Sequence, residues 1–194
     1  MRPAQRKTLT LRFLPLTPAR WPDLENLFGP RGACGGCWCM TWRLTRSDYA
    51  RLKGEANRRA MKGLVDSGHV PGILAYHQGV PIGWCSVATR ESFLLLERSR
   101  TLKRLDAAPV WSVVCLFIRR PYRRLGVSVQ LLRAAARYVR RRGGRLVEGY
   151  PIVPRTGQVP DVFAWTGLAS AFRQAGFSEC ARPSATRRIV RLAV

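Results

Sequence analysis

Lysine is nearly missing from this chain: of 34 basic residues only Lys7, Lys53, Lys62 and Lys103 are lysines, and the rest are arginines. Acidic residues are also scarce, 11 in all, which leaves a formal net charge of +23. A chain so charged attracts anionic ligands and repels polycations. Histidine is limited to His69 and His77, which leaves few nitrogen ligands for a metal. No apolar run reaches the roughly 18 residues of a transmembrane helix. The stretch after the basic Met1–Lys7 is broken by Arg12 and Pro15 and lacks a small-residue cleavage site, so no secretory leader is expected. The expected location is therefore the cytoplasm. The six cysteines (Cys34, Cys37, Cys39, Cys85, Cys115 and Cys180) would be reduced there and serve packing, metal or chemistry rather than a disulfide framework. Neither a G-x-x-x-x-G-K-[ST] loop nor a G-x-G-x-x-G turn is present, which removes the two commonest nucleotide sites.

What remains is an ordinary globular composition. With 194 residues, 46% of them hydrophobic and 23% charged, the chain can bury a core without staples, and one domain over residues 1–194 is expected. Arginine suits bidentate phosphate recognition better than lysine. A genome-wide coding preference that places guanidinium groups on solvated faces explains the same bias and stays open.

Periodicity orders the elements. A strand is expected over Thr8 to Leu14, then a helix from the Thr17-Pro18 cap to Gly29-Pro30. A longer helix capped by Ser47 should run to Val65 and close at Ser67-Gly68. Ile73–Tyr76 and Ile82–Val87 flank Gln78-Gly79 as a hairpin. Glu91 to Arg104 fits either strand or helix. Trp111–Ile118 is an almost unbroken apolar run, as in a strand covered on both faces. Val127–Arg142 has a helical period, with Ser128, Leu132, Ala135, Ala136 and Val139 on one face and Arg133, Arg137, Arg140 and Arg141 on another. A strand over Leu146–Ile152, a helix over Ala164–Ala175 and strands at Phe177–Ala181 and Arg187–Leu192 complete an α/β alternation of about seven strands and four helices.

The chemistry concentrates between Val113 and Ser128, where a buried strand runs through a basic turn into a helix. The first turn of a helix leaves N–H groups unpaired at the positive end of the macrodipole, so a phosphate is stabilised there. Gly126 allows close backbone approach, although a glycine serving only a tight turn would look the same. Arg123-Arg124-Leu125-Gly126-Val127-Ser128 resembles the acyl-coenzyme A signature of the GNAT superfamily (Arg or Gln, two residues, Gly, one residue, Gly or Ala), with Ser128 in place of Gly or Ala. The hairpin, the apolar strand and the later Phe172-Arg173-Gln174-Ala175-Gly176-Phe177 follow in the same order, so the resemblance covers nearly the whole chain.

That resemblance implies a GNAT fold, a mixed and strongly twisted sheet flanked by helices. It implies transfer of an acetyl or larger acyl group from acetyl-coenzyme A to an amine, on a small molecule or a peptide. Leu116, Phe117 and Ile118 would offer backbone hydrogen bonds to the pantetheine arm, and Arg123, Arg124, Leu125, Gly126, Val127 and Ser128 would hold the pyrophosphate. Relatives often dimerise, so a homodimer is left open; no membrane partner is implied. Two family positions differ: the tyrosine that often protonates the leaving thiolate is Phe172, and an often-present asparagine is Trp165.

Glu148 and Tyr150 are two apart on a strand and should share a face. They are the expected general base and general acid, unless Glu148 pairs with an arginine and Tyr150 caps the core. His69 and His77 are weaker candidates. The loop Cys34-Gly35-Gly36-Cys37-Trp38-Cys39-Met40-Thr41-Trp42-Arg43 has too few ligands for zinc and reads instead as an acceptor wall, with Trp38 and Trp42 as packing surfaces and Arg43 as an anion contact. The reading from a different class is a non-catalytic nucleic-acid- or ribosome-binding protein on the same fold, favoured by the net charge and by Phe172.

Overall fold

The structure, a computed structural model, describes residues 9–154, 160 and 163–194. The chain forms seven strands: β1 (Arg12–Pro15), β2 (Gly72–His77), β3 (Val80–Thr89), β4 (Trp111–Ile118), β5 (Leu146–Gly149), β6 (Ser178–Ser184) and β7 (Arg187–Ala193). They form one open, twisted sheet in the order β1-β2-β3-β4-β5-β7-β6. All neighbours are antiparallel except β4 and β5. The β2–β3 hairpin turns at Gln78 and Gly79, both in the left-handed region at φ 49° and 80°, as a two-residue turn requires.

Six α-helices occur among the described residues: α1 (Trp21–Phe28), α2 (Arg46–Arg51), α3 (Glu55–Asp66), α4 (Leu94–Glu97), α5 (Val127–Arg141) and α6 (Ala169–Ala175). The helix expected from Ser47 to Val65 is two, because the chain breaks between Leu52 and Gly54. Its cap is Thr45, whose hydroxyl accepts the Asp48 N–H at 3.1 Å, and not Ser47. Leu94–Glu97, unassigned from sequence, makes a single turn. The last helix starts at Ala169 rather than Ala164, so Trp165 lies in the segment before it.

The sheet is covered on both faces. On one, α5 and α6 pack Leu131, Leu132, Ala135, Val139 and Phe172 against Cys85, Val113 and Val147. On the other, α1, α3 and the loop between α1 and α2 pack Trp21, Leu24, Phe28, Trp38 and Met61 against Leu74 and Trp84. A third cluster sits under α4, where Phe93, Leu96 and Leu102 meet Val114, Tyr150 and Ile189.

Phe172 fills space at the centre of the α6 side. Its ring lies edge-on to Phe177, centroids 5.0 Å apart, and a Cβ added at Gly149 would stand 2.1 Å from its Cε1. The side chain that replaces the family's tyrosine is thus core, fully buried. Gly149→Ala should therefore overpack the β5–α6 contact and cost about 1–3 kcal/mol, measured by urea denaturation. An unchanged midpoint would show that the ring can step aside freely.

Candidate active site

β4 and β5 pair over only three residues, Trp111 to Val113 against Val147 to Gly149. β5 then ends, while β4 continues to Ile118. The register of β4 against β3 slips between Ser86 and Val87, so Val114 is an extra residue that bulges the strand where its partner leaves. The remaining edge of β4 faces an opening. Backbone direction alternates along a strand, and Leu116 N–H points out of the sheet ladder, so Leu116 and Ile118 face the opening. Phe117 is paired with Trp84 in the ladder, which removes its backbone from the set expected to meet a pantetheine arm. The edge is also partly satisfied: Leu116 N–H donates to the Trp165 carbonyl at 2.7 Å, and Ile118 C=O accepts from Arg123 Nε at 3.0 Å.

The opening leads to the start of α5. Gly126, its N-cap, has φ 76°, and a Cβ built there meets nothing within 4 Å. Arg124 is likewise left-handed at φ 62°. The helix that begins at Val127 carries no acidic residue in its first turn, so its amides and macrodipole present an uncompensated positive end to open space.

At the bulge lies a cavity of about 190 Å³. β4 gives it Cys115, Leu116 and Phe117; α1 gives Phe28; α2 gives Tyr49; the segment before α6 gives Trp165. The α1–α2 loop supplies Ala33, Cys34, Cys37, Cys39, Thr41 and Trp42. The loop is tied down by Gly54 N–H and Asn57 Nδ2, both donating to Gly36 O at 3.0 and 3.2 Å. It turns sharply through Trp38 and Cys39, left-handed at φ 42° and 59°. Such a conformation is costly for bulky side chains and persists only where packing enforces it. A second, more open groove of about 600 Å³ beside Glu25, Asn26 and Glu55 shares no lining residue with this cavity, and Arg58 pairs with both its carboxylates.

Residues 38–149, more than half of the chain, match the acetyltransferase (GNAT) family. The chain belongs to the GNAT family. No curated protein matches it. Among solved structures, a GNAT-family acetyltransferase from Streptococcus agalactiae is 12% identical, with 95% of each chain covered and a TM-score of 0.56. The PaiA N-acetyltransferase of Thermoplasma acidophilum, solved with coenzyme A, is 11% identical over 96% of this chain and 100% of that one, TM-score 0.51. NAA60 of Arabidopsis thaliana, solved with acetyl-CoA, is 14% identical over 95% and 100%, TM-score 0.51. At these identities the likeness is one of fold.

The GNAT fold brings Glu148 and Tyr150 to one face, as their spacing requires, but not to the cavity. Tyr150 donates its proton to Glu148 Oε1 at 2.6 Å, and Arg90 Nη1 donates to both Glu148 Oε1 and Tyr150 Oη at 2.9 Å. Ser112 Oγ lies 2.8 Å from the phenol, and Arg191 Nε donates to Glu148 Oε2 at 2.7 Å. Arg90, Glu148 and Tyr150 are at most 1% exposed. Burial, with the Glu148 charge, pushes the phenol well above its usual range. The geometry gives the pair a structural role in place of the acid–base role expected from their spacing. The expected acceptor contacts also divide. Trp42 borders the cavity, its ring 5.9 Å from Trp165, whereas Trp38 is core, stacked on Trp21. Arg43 lies over the Phe93 ring at 4.5 Å and donates to Ser92 O and Pro71 O at 3.4 and 3.3 Å. Burial lowers its guanidinium to about 10. His69 bonds Ser67 and His77 stands against Tyr122, both away from the cavity.

Sequence reasoning missed the sulfur pair at the cavity wall. Cys39 Sγ accepts the Trp84 indole N–H at 3.2 Å. Hydrogen bonding from Cys115 above all, then from Trp84 and Ser86 with the Arg43 charge, outweighs burial and brings the Cys39 thiol down to about 7; the same pairing and burial push Cys115 well above the usual thiol range. The signal was a lone cysteine in the apolar β4 run, and only the bulge places it opposite the loop.

Two outcomes test this arrangement. Arg90→Met leaves a buried carboxylate short of its partner and should cost about 3–5 kcal/mol in urea denaturation, whereas Arg104→Ala, on the exposed side of the same cluster, should cost under about 1 kcal/mol. Equal effects would place Arg90 outside the core network. Because the thiolate is the nucleophile, alkylation of Cys39 by iodoacetamide should rise with pH and reach half its maximum near 7. Cys85, buried and raised, should stay protected in the folded protein. A Cys39 profile in the ordinary range near ~8.5 would refute the assigned environment.

Proposed function

We propose that this chain is a single GNAT-type domain that transfers an acetyl group from acetyl-coenzyme A to an amine. The observation that carries this reading is the continuity of three features: the β4 edge left open by β5, the left-handed Gly126 at the start of α5, and the cavity at the β4 bulge. Pantetheine would lie along Leu116 and Ile118, using Ile118 N–H and the Leu116 carbonyl, while the Trp165 carbonyl keeps Leu116 N–H or yields it. Its pyrophosphate would meet the amides of the first turn of α5 with Arg123 and Arg124 beside them. The thioester would then face Cys115, Cys39 and Tyr49, and the amine would enter between Trp42 and Trp165.

The acceptor is an amine small enough, or on a chain end thin enough, for a cavity of about 190 Å³. No carboxylate or imidazole lines that cavity, so the amine must arrive neutral. Tyr49 supplies a hydroxyl at the wall; burial raises its pKa, which keeps it a donor at neutral pH. No helix among the described residues is long and apolar enough to cross a membrane. We place the protein in the cytoplasm, where six unpaired thiols persist.

The test is Gly126→Asp. Aspartate tolerates the left-handed backbone, and its side chain points into open space, so the domain should remain folded by circular dichroism. A negative charge there faces the pyrophosphate, and acetyl-coenzyme A affinity in calorimetry should fall by at least about a hundredfold. Arg133→Ala, which removes only a surface bond to Gln174 O, should change it by less than about threefold. A folded Gly126→Asp protein that binds like the parent would remove the site.

A further inference from the structure

We propose that Cys39 is a covalent relay: it takes the acyl group from the coenzyme A thioester as a Cys39 thioester and hands it to the amine. The proposal rests on the acetyltransferase reading above.

The five other cysteines differ from Cys39 in what they do. Cys37 donates to Gly32 O at 3.6 Å, so it holds its proton. Cys85 lies on the opposite face, in the core beneath α5. Cys180 is on β6, remote from the cavity, and Cys34 is exposed at its rim. Cys115 is held well above the usual thiol range by its pairing with Cys39 and by burial, so it keeps its proton. Cys39 alone receives. The Trp84 indole N–H has only donor capacity, is fully buried, and is aimed at Cys39 Sγ at 3.2 Å. A thiolate satisfies such a buried donor better than a thiol does. Ser86 and Arg43 add to the same effect.

The backbone has been bent to place this sulfur. Trp38 and Cys39 are successive left-handed residues, a costly arrangement that brings Cys39 among the residues lining the cavity beside the β4 bulge. The lining residues include no carboxylate or imidazole that would act as base for a direct attack by the amine.

The steps balance. In the first, Cys39 thiolate adds to the thioester carbonyl; a C–S bond to Cys39 forms, the C–S bond to coenzyme A breaks, and coenzyme A departs as its thiolate. In the second, the neutral amine adds to the Cys39 thioester; the C–N bond forms, the C–S bond to Cys39 breaks, the amine's surplus proton passes to water, and Cys39 is again a thiolate. A sulfur stabilised as an anion is also the better leaving group in that second step.

The experiment needs no acceptor. The full chain is incubated with acetyl-coenzyme A and isotope-labelled free coenzyme A, and acetyl exchange between them is followed by mass spectrometry. Direct transfer provides no route for this exchange; the relay does. Exchange should occur, acid-quenched peptides should carry acetyl on Cys39, and Cys39→Ser should cut exchange by at least about a hundredfold with calorimetric acetyl-coenzyme A affinity kept. Trp84→Phe, which keeps an aromatic ring and removes the N–H, should slow exchange about tenfold and move its pH profile upward, with circular dichroism as its folding control; it decides the matter if Cys39→Ser fails to fold. A parent that binds acetyl-coenzyme A without exchange, or acetyl found on another cysteine and not on Cys39, overturns the relay and leaves the acetyltransferase reading standing. A parent that does not bind acetyl-coenzyme A overturns both.

Discussion

The unequal length of two neighbouring parallel strands governs this molecule. β4 has eight residues and β5 four, and they run together for three pairs before β5 ends. Backbone N–H and C=O groups must find partners, so the rest of the β4 edge has to be met by something else. The chain meets part of it itself, through Trp165 O and Arg123 Nε. The bulge at Val114 belongs to the same solution. It lets β4 keep pairing with β3 while turning Cys115 and Phe117 toward the α1–α2 loop, and so it makes the cavity and the open edge adjoin.

Below the divergence a buried charge network adds to the strand pairing. Arg90 follows β3, Glu148 sits on β5 and Arg191 on β7, so one carboxylate ties three strands. Arg90 also donates to Glu97 on α4 and to Leu102 O, which fastens the segment between β3 and β4. Asp106 extends the chain of pairs outward from Arg191. A buried ion pair is weak evidence for net stability. Here it joins three strands and one loop through a shared set of donors and acceptors. Few acids in so basic a chain are placed as centrally.

The architecture was legible where a single period dominates. Trp111–Ile118 is apolar but for Ser112 because both faces are covered, and β4 has those same limits. Val127–Arg141 repeats its small and aliphatic residues at helical spacing, and α5 starts beside Gly126 as its signature requires. Legibility failed where tertiary contacts decide. Nothing local shows that Leu52–Gly54 breaks a helix, or that Ala164–Leu168 turns at Trp165-Thr166 and bonds Leu116 and Ile152 rather than winding into α6. The candidate site divides the same way. Gly126 and the β4 edge follow from pattern. Glu148 and Tyr150 share a face as an alternation of two demands, but which face is buried depends on Arg90, fifty-eight residues away in sequence. The Cys39–Cys115 pairing depends on a bulge and two left-handed residues, features of packing that leave no periodic trace.

The positive charge bears on the chemistry through distance. At physiological salt, exposed arginines beyond about 8 Å are largely screened. Their field favours arrival of an anionic donor but does little at the cavity wall. What acts there is near: the half-buried Arg43, held under the loop by Ser92 O, Pro71 O and the Phe93 ring, with its own guanidinium lowered to about 10 by desolvation. Burial that disfavours the Arg43 charge is offset by an anion beside it, and Cys39 is the thiol placed to become that anion. One half-buried guanidinium thus favours the ionisation of the thiol beside it.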